Sequence, residues 1–241
     1  MFTHAAETLE IIPKSPVKKA HAPKVEKREK PSLTPEEAWA LWDALKDVDL
    51  IRYRAFYGVL LFTGIRGEVA LGLKWEDIDL GGRQLTVKRG IWRGKEGPPK
   101  TIYSLRTRPI HQELYDALVH HKAMAHYTQP SDYVFASSSG RPANPDMLRE
   151  TLQSVLRDRI KDKITTTLGP REDGLHLLRH TSTSMVYQET CNIKEAQECA
   201  GHSSPNITMG VYTHLLKKSQ QETAKRVFQR PTIPAPSGQE N

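Results

Sequence analysis

The chain has 241 residues, 37% of them apolar, which is enough for a real core and excludes a wholly disordered chain. Lysine and arginine number 35 against 28 aspartates and glutamates, and the resulting charge of +7 favours an anionic partner, nucleic acid first. Cys191 and Cys199 form no CxxC pair, so neither a zinc site nor a disulfide framework is suggested. No apolar run reaches the ~18 residues of a membrane span or resembles the core of a signal peptide. A soluble protein of a reducing cytoplasm, at the nucleoid if it meets DNA, is the expectation.

Residues 1–12 read as a frayed end, and 13–32 as an extended basic linker rich in lysine and proline. Order is expected from Leu33. Thr34 can cap a helix, Pro35 suits its first position, and Glu37 completes a capping box. Ala38, Leu41, Trp42 and Leu45 then follow helical spacing. A second helix covers roughly 50–62, with Tyr53, Phe56, Tyr57, Leu60 and Leu61 as its apolar stripe, and Thr63-Gly64 ends it. A short helix over about 66–73 leads into the loop KWEDIDLGGR. Between Gln84 and Ile110 the period changes to that of strands, with Leu85 and Val87 alternating and residues 94–99 as a loop.

Helical spacing returns from His111 through Leu114, Leu118, His121 and Ala125. Tyr133-Val134-Phe135 is a short apolar element before a turn at Gly140-Arg141-Pro142. Pro145 opens a helix whose apolar face is Leu148, Leu152, Val155 and Leu156. Residues 161–173 read as loop, 174–215 as mainly helical, and 217–229 as a last helix before a proline-rich tail. The pattern is mainly α with a small antiparallel β-sheet, an α+β class.

The chemistry-bearing residues concentrate in GLHLLRHT, AGHSSPNIT and VYTHL. His176 and Arg179 share a helix face. Ser204-Pro205 places His202 beside a helix N-terminus, where anions are favoured. Each is unremarkable alone. Together they resemble the C-terminal signature of the tyrosine recombinase (phage integrase) family, close to HxLRHT…lGHSSxxxTxxxYxH, with matching spacings. TGIRGEVALGLKWEDIDL resembles that family's first box and supplies Arg66; KTIYSLRTRPI is similar to its KTxxSxRxipL hairpin and supplies Lys100. The resemblance covers roughly residues 33–216.

The resemblance implies a catalytic domain of the tyrosine recombinase type over 33–216. Residues 1–32 would be a linker or the remnant of an N-terminal DNA-gripping domain, and 217–241 a C-terminal helix and disordered tail. It implies that Tyr212 attacks a scissile phosphate, giving a 3′-phosphotyrosyl link and a free 5′-hydroxyl. Arg66, Arg179 and His202 would hold the non-bridging oxygens, His176 would assist proton transfer at Tyr212, and Lys100 would protonate the leaving oxygen. The implied partner is double-stranded DNA, the implied assembly a homotetramer in which Val227 and Phe228 anchor the last helix on a neighbour. No cofactor and no metal are implied. A second reading keeps DNA binding without recombination. A third, a type IB topoisomerase, fits the HSSPNIT and YTH context less well.

The physical chemistry agrees with those roles. A phenol of pKa ~10 is only about 0.1% ionised at neutral pH and needs assistance, and arginine brings a permanent charge in a fork that matches phosphate oxygens. Two departures from the family pattern stand out, and one assignment has a rival. Val69 occupies the place of its acidic residue, with Glu68 one position early. Arg108 replaces an apolar residue before Pro109, to reach the DNA backbone or face water. Lys95 competes with Lys100 as the leaving-group acid.

Overall fold

A computed structural model describes residues 2–14, 30–98, 105–168 and 174–201. Its helices are α1 (Phe2–Glu7), α2 (Pro35–Ala44), α3 (Ile51–Thr63), α4 (Gly67–Leu71), α5 (Gln112–Met124), α6 (Pro145–Ser154), α7 (Leu175–Thr190) and α8 (Ile193–Ala200). The strands are β1 (Ile78–Asp79), β2 (Gln84–Val87), β3 (Gly90–Trp92), β4 (Lys95–Gly97) and β5 (Arg106–Pro109). The α+β class expected from the sequence is what folds. The reading of 217–229 as a helix, and of the tail as disordered, lies outside the described residues.

Helix α2 starts as its capping box dictates: Thr34 Oγ1 accepts the Glu37 N–H at 3.2 Å, and Glu37 Oε2 accepts the Thr34 N–H at 2.9 Å. Glu37 does more than cap. Its Oε1 accepts the N–H groups of Thr165 and Thr166, at 2.6 and 2.9 Å, and the Thr165 hydroxyl at 2.9 Å; Oε2 accepts the Thr166 hydroxyl at 2.6 Å. Burial by itself would raise this carboxyl, but the bonds from Thr166, Thr34 and Thr165 prevail and hold it down at about 2. The Leu33 N–H meanwhile donates to Thr181 Oγ1 on α7 at 2.9 Å. The start of α2 is thereby tied both to the segment leading into α7 and to α7 itself.

Helix α3 is central, packed between α5 and α7. Phe56, Tyr57, Leu60 and Leu61 are buried as its stripe predicts, while Tyr53 lies at the edge. Tyr57 donates its hydroxyl proton to the Leu148 carbonyl at 2.7 Å, joining α3 to α6. The apolar face of α6 runs on through a wide helical turn, Val155–Arg159, so Val155 and Leu156 are buried with Leu148 and Leu152.

Three local expectations need correction. The N-terminal residues form the short helix α1 rather than a frayed end. Residues 94–99 are not all loop: Lys95–Gly97 pairs with Gly90–Trp92 as an antiparallel hairpin. Its turn residues Arg93 and Gly94 both have positive φ, 49° and 75°. Such a turn follows the natural twist of two strands, and the charged segment gave no alternation by which to recognise it. The loop KWEDIDLGGR likewise contains a strand, β1, which pairs with β2.

In the larger sheet, of order β1-β2-β5, every neighbour is antiparallel. Leu85 lies opposite Arg108 and Val87 opposite Arg106. Leu85 and Val87 are buried, so both arginines spring from the core face of the sheet. Thr86 and Thr107 pair on the outer face, their hydroxyls 3.2 Å apart.

Candidate active site

Arg179 sits in the second turn of α7 and is buried, only 4% exposed. Its Nη1 donates to the Gly64 carbonyl at 2.6 Å and its Nη2 to the Ala200 carbonyl. Gly64 closes α3 in the left-handed conformation, φ 63°, and turns the chain through buried Ile65 to Arg66, which begins α4. Ala200 ends α8. One guanidinium thus joins the segment entering Arg66, the helix carrying His176, and the turn that runs on in sequence to His202.

His176 lies one turn before Arg179 and lines a cavity of about 460 Å³ together with Lys30, Glu68, Arg149 and His180. The atoms crowding its ring push its pKa below the ordinary 6.5; the Glu68 carboxylate opposes this, and Arg179, Arg66 and Lys30 add to it. The direction favours the neutral ring, the form able to accept a proton. Val69, where the family pattern has an acid, is buried in the core. Glu68 is the residue facing the cavity, and its Oε2 is buried without a hydrogen-bond partner among the described residues.

A further arginine was not singled out from the sequence. Arg106 reaches from β5 to the Cys199 carbonyl, with Nη2 at 2.9 Å. Burial first, then Arg108 and Arg179, push it down to about 9, with Cys199 opposing and Arg66 adding. A guanidinium does not surrender its proton at neutral pH. The shift therefore records burial of the charge first and the neighbouring arginines second, both of which a bound anion would offset. The signal was present in SLRTRP, where Arg106 and Arg108 fall two apart on one strand face.

Of the residues expected in the site, Arg66, His176 and Arg179 come together. Lys100, His202 and Tyr212 lie outside the described residues. Lys95, the competing acid, is exposed at the start of β4, opposite Trp92. Among the described residues no three His, Cys, Asp or Glu side chains group so as to hold a metal ion, and no helix is long and apolar enough to cross a membrane. Chemically, clustered guanidinium groups beside an imidazole suit a phosphoryl group: arginines can take charge on its oxygens, and an imidazole can take a proton from an attacking hydroxyl.

Residues 31–219 match the model of the phage integrase family. The chain belongs to that family. As a phage integrase family member it carries a tyrosine recombinase catalytic domain, which is what HLLRHT, AGHSSPNIT and VYTHL had suggested. It is 28% identical over 234 residues to a XerC-like tyrosine recombinase of Caldanaerobacter subterraneus, covering 87% of this chain and 55% of that protein. To the tyrosine recombinase XerA of Pyrococcus furiosus it is 30% identical over 205 residues, covering 85% of this chain and 64% of that protein. The chain thus spans between about half and two thirds of the length of these relatives. Its fold is similar to that of the Tn1549 transposon integrase in complex with transposon right-end DNA. That match has a TM-score of 0.70 and 21% identity, over 86% of this chain and 68% of the other. The structure of XerA recombinase gives a TM-score of 0.63 at 22% identity, over 88% of this chain and 68% of that one.

Proposed function

We propose that this chain is the catalytic part of a site-specific recombinase that cuts and rejoins double-stranded DNA through a 3′-phosphotyrosyl intermediate. The observation that carries the reading is the seating of Arg179 between the Gly64 and Ala200 carbonyls, which brings it beside Arg66 and one helical turn from His176. Tyr212 Oη attacks phosphorus while His176 takes its proton. The bond from phosphorus to the 5′-oxygen breaks, and Lys100 supplies the proton that oxygen needs. Arg66, Arg179 and His202 bear the charge that builds on the non-bridging oxygens. The covalent link stores the energy of the broken bond, so attack by a second strand's 5′-hydroxyl reseals DNA with no nucleotide. The net charge of +7 suits a polyanionic partner, and four copies assembled on two DNA duplexes are the proposed working unit.

The test is a pool of nicked duplexes with randomised central positions, in which cleavage releases a short strand and traps the adduct. Covalently bound DNA is recovered on a denaturing gel and sequenced. A defined set of adducted sequences, lost in Tyr212→Phe, is the expected result. DNA binding without any adduct would instead establish a binding protein that does not cleave.

A further inference from the structure

The last turn of α8 exposes three successive carbonyls, of Glu198, Cys199 and Ala200, and each is taken by a guanidinium. Arg108 Nη2 donates to the Glu198 carbonyl and, at 2.7 Å, to that of Cys199. Arg106 Nη2 donates to the Cys199 carbonyl at 2.9 Å, and Arg179 Nη2 to that of Ala200. Carbonyls at a helix C-terminus lack partners within the helix and carry the negative end of its dipole, so cations belong there. Three arginines share that task here, and they come from two separate elements, β5 and α7.

The place of Arg108 in the sheet sharpens the point. It stands opposite Leu85 on the core face, where an apolar side chain would satisfy the strand pattern. Its stem covers that face while its head crosses to α8. The structure gives half-buried Arg108 partners within the chain, beyond the two roles expected of it from the sequence, reaching DNA or facing water. Burial pushes its pKa down, and Cys199 and Glu198 oppose the shift. The turn after the clamp is closely built too. Gly201 has a φ of 58°, and a methyl group added there would overlap the Arg106 guanidinium.

We propose that Arg108 is a positioning residue: with Arg106 it fastens β5, at one edge of the described sheet, to the last turn of α8, and so fixes the Ala200 carbonyl that aims Arg179. Arg179 bonds the last turn of α8 through the Ala200 carbonyl, so drift of that turn is passed to its guanidinium. Arg108 itself touches no reacting atom. The inference rests on the proposed recombinase reading, in which Arg179 neutralises charge on the scissile phosphate, and falls with it if no adduct forms.

The experiment compares Arg108→Met, which keeps the stem and removes the fork, with Arg179→Gln and the parent. Adduct formation is timed in single turnover on a duplex recovered from the selection above. The same duplex carries either an ordinary phosphate or a neutral methylphosphonate at the scissile position. A guanidinium that neutralises phosphate charge matters far less when that charge is absent. Arg179→Gln is therefore expected to lose much of its defect on the methylphosphonate. Arg108→Met is expected to be about 10- to 100-fold slower on phosphate, as for a misplacement of an ångström or less, and within a few-fold of parent on the methylphosphonate.

Arg108→Lys, which keeps the charge without the fork, serves if the methionine variant does not fold, with the same expected pattern. An equal loss on both substrates marks a merely structural role and overturns the proposal, as does no loss on either. If Arg179→Gln is itself insensitive to the substitution in DNA, the assignment of Arg179 fails and the positioning role fails with it. If Arg179→Gln responds and Arg108→Met does not, only the positioning role is refuted.

Discussion

The Glu37 carboxylate offers a direct test of how the fold holds α7 in place. It accepts five hydrogen bonds, from Thr34, both donors of Thr165 and both of Thr166, and all five suit a carboxylate with no proton. Glu37→Gln preserves the shape but turns one oxygen into an NH2 group facing donors. The carboxyl is held at about 2 against an ordinary 4.5, which corresponds to roughly 3 kcal/mol of stability at neutral pH.

Because the folded value lies below the unfolded one, that contribution is complete above about pH 4.5 and is lost as the pH falls toward 2. Urea unfolding of parent and variant at neutral pH and down the acid limb measures it. The variant should be less stable by roughly 3 kcal/mol at pH 7, or about 6–12 °C in Tm for a domain of this size. The gap between the two should narrow as the pH drops. A variant as stable as the parent at pH 7, or a gap that does not change with pH, would refute the reasoning.

Arg179→Lys should slow adduct formation by about 10²–10³-fold, since one ammonium cannot hold the Gly64 and Ala200 carbonyls and a phosphate together; single-turnover rates measure it. Gly201→Ala should cost more than Gly94→Ala in denaturant midpoint. Both positions have positive φ, costing about 1–2 kcal/mol each for a side chain, but Gly94 has open space around it whereas Gly201 faces Arg106. The His176 ring, followed by NMR, should titrate below 6.5, and Glu68→Gln should lower it further by removing the carboxylate that opposes the Arg179, Arg66 and Lys30 charges. Adduct formation should accordingly fall only as the pH drops below 6.5. A His176 titration at or above that value would contradict the geometry.

Much of this protein was legible because its signals are local. The Thr34–Glu37 capping box, the stripe on α3 and the Pro145 helix start depend on neighbours a few residues away, and the structure forms all three. The blocks around Arg66, His176 and Arg179 were also recognisable, because phosphoryl chemistry needs particular side chains at particular spacings. Alternation along residues 105–110 implied that Arg106 and Arg108 share a face; it did not say which face. Pairing with Leu85 and Val87 turns them toward the core, and the approach of α8 gives their charges carbonyls to bind. Glu37 tells the same story, since its capping partner lies three residues away but Thr165 and Thr166 lie far along the chain. A periodic pattern encodes direction relative to its own element. Only packing decides what stands opposite, and here packing made two strand arginines part of the frame that holds Arg179.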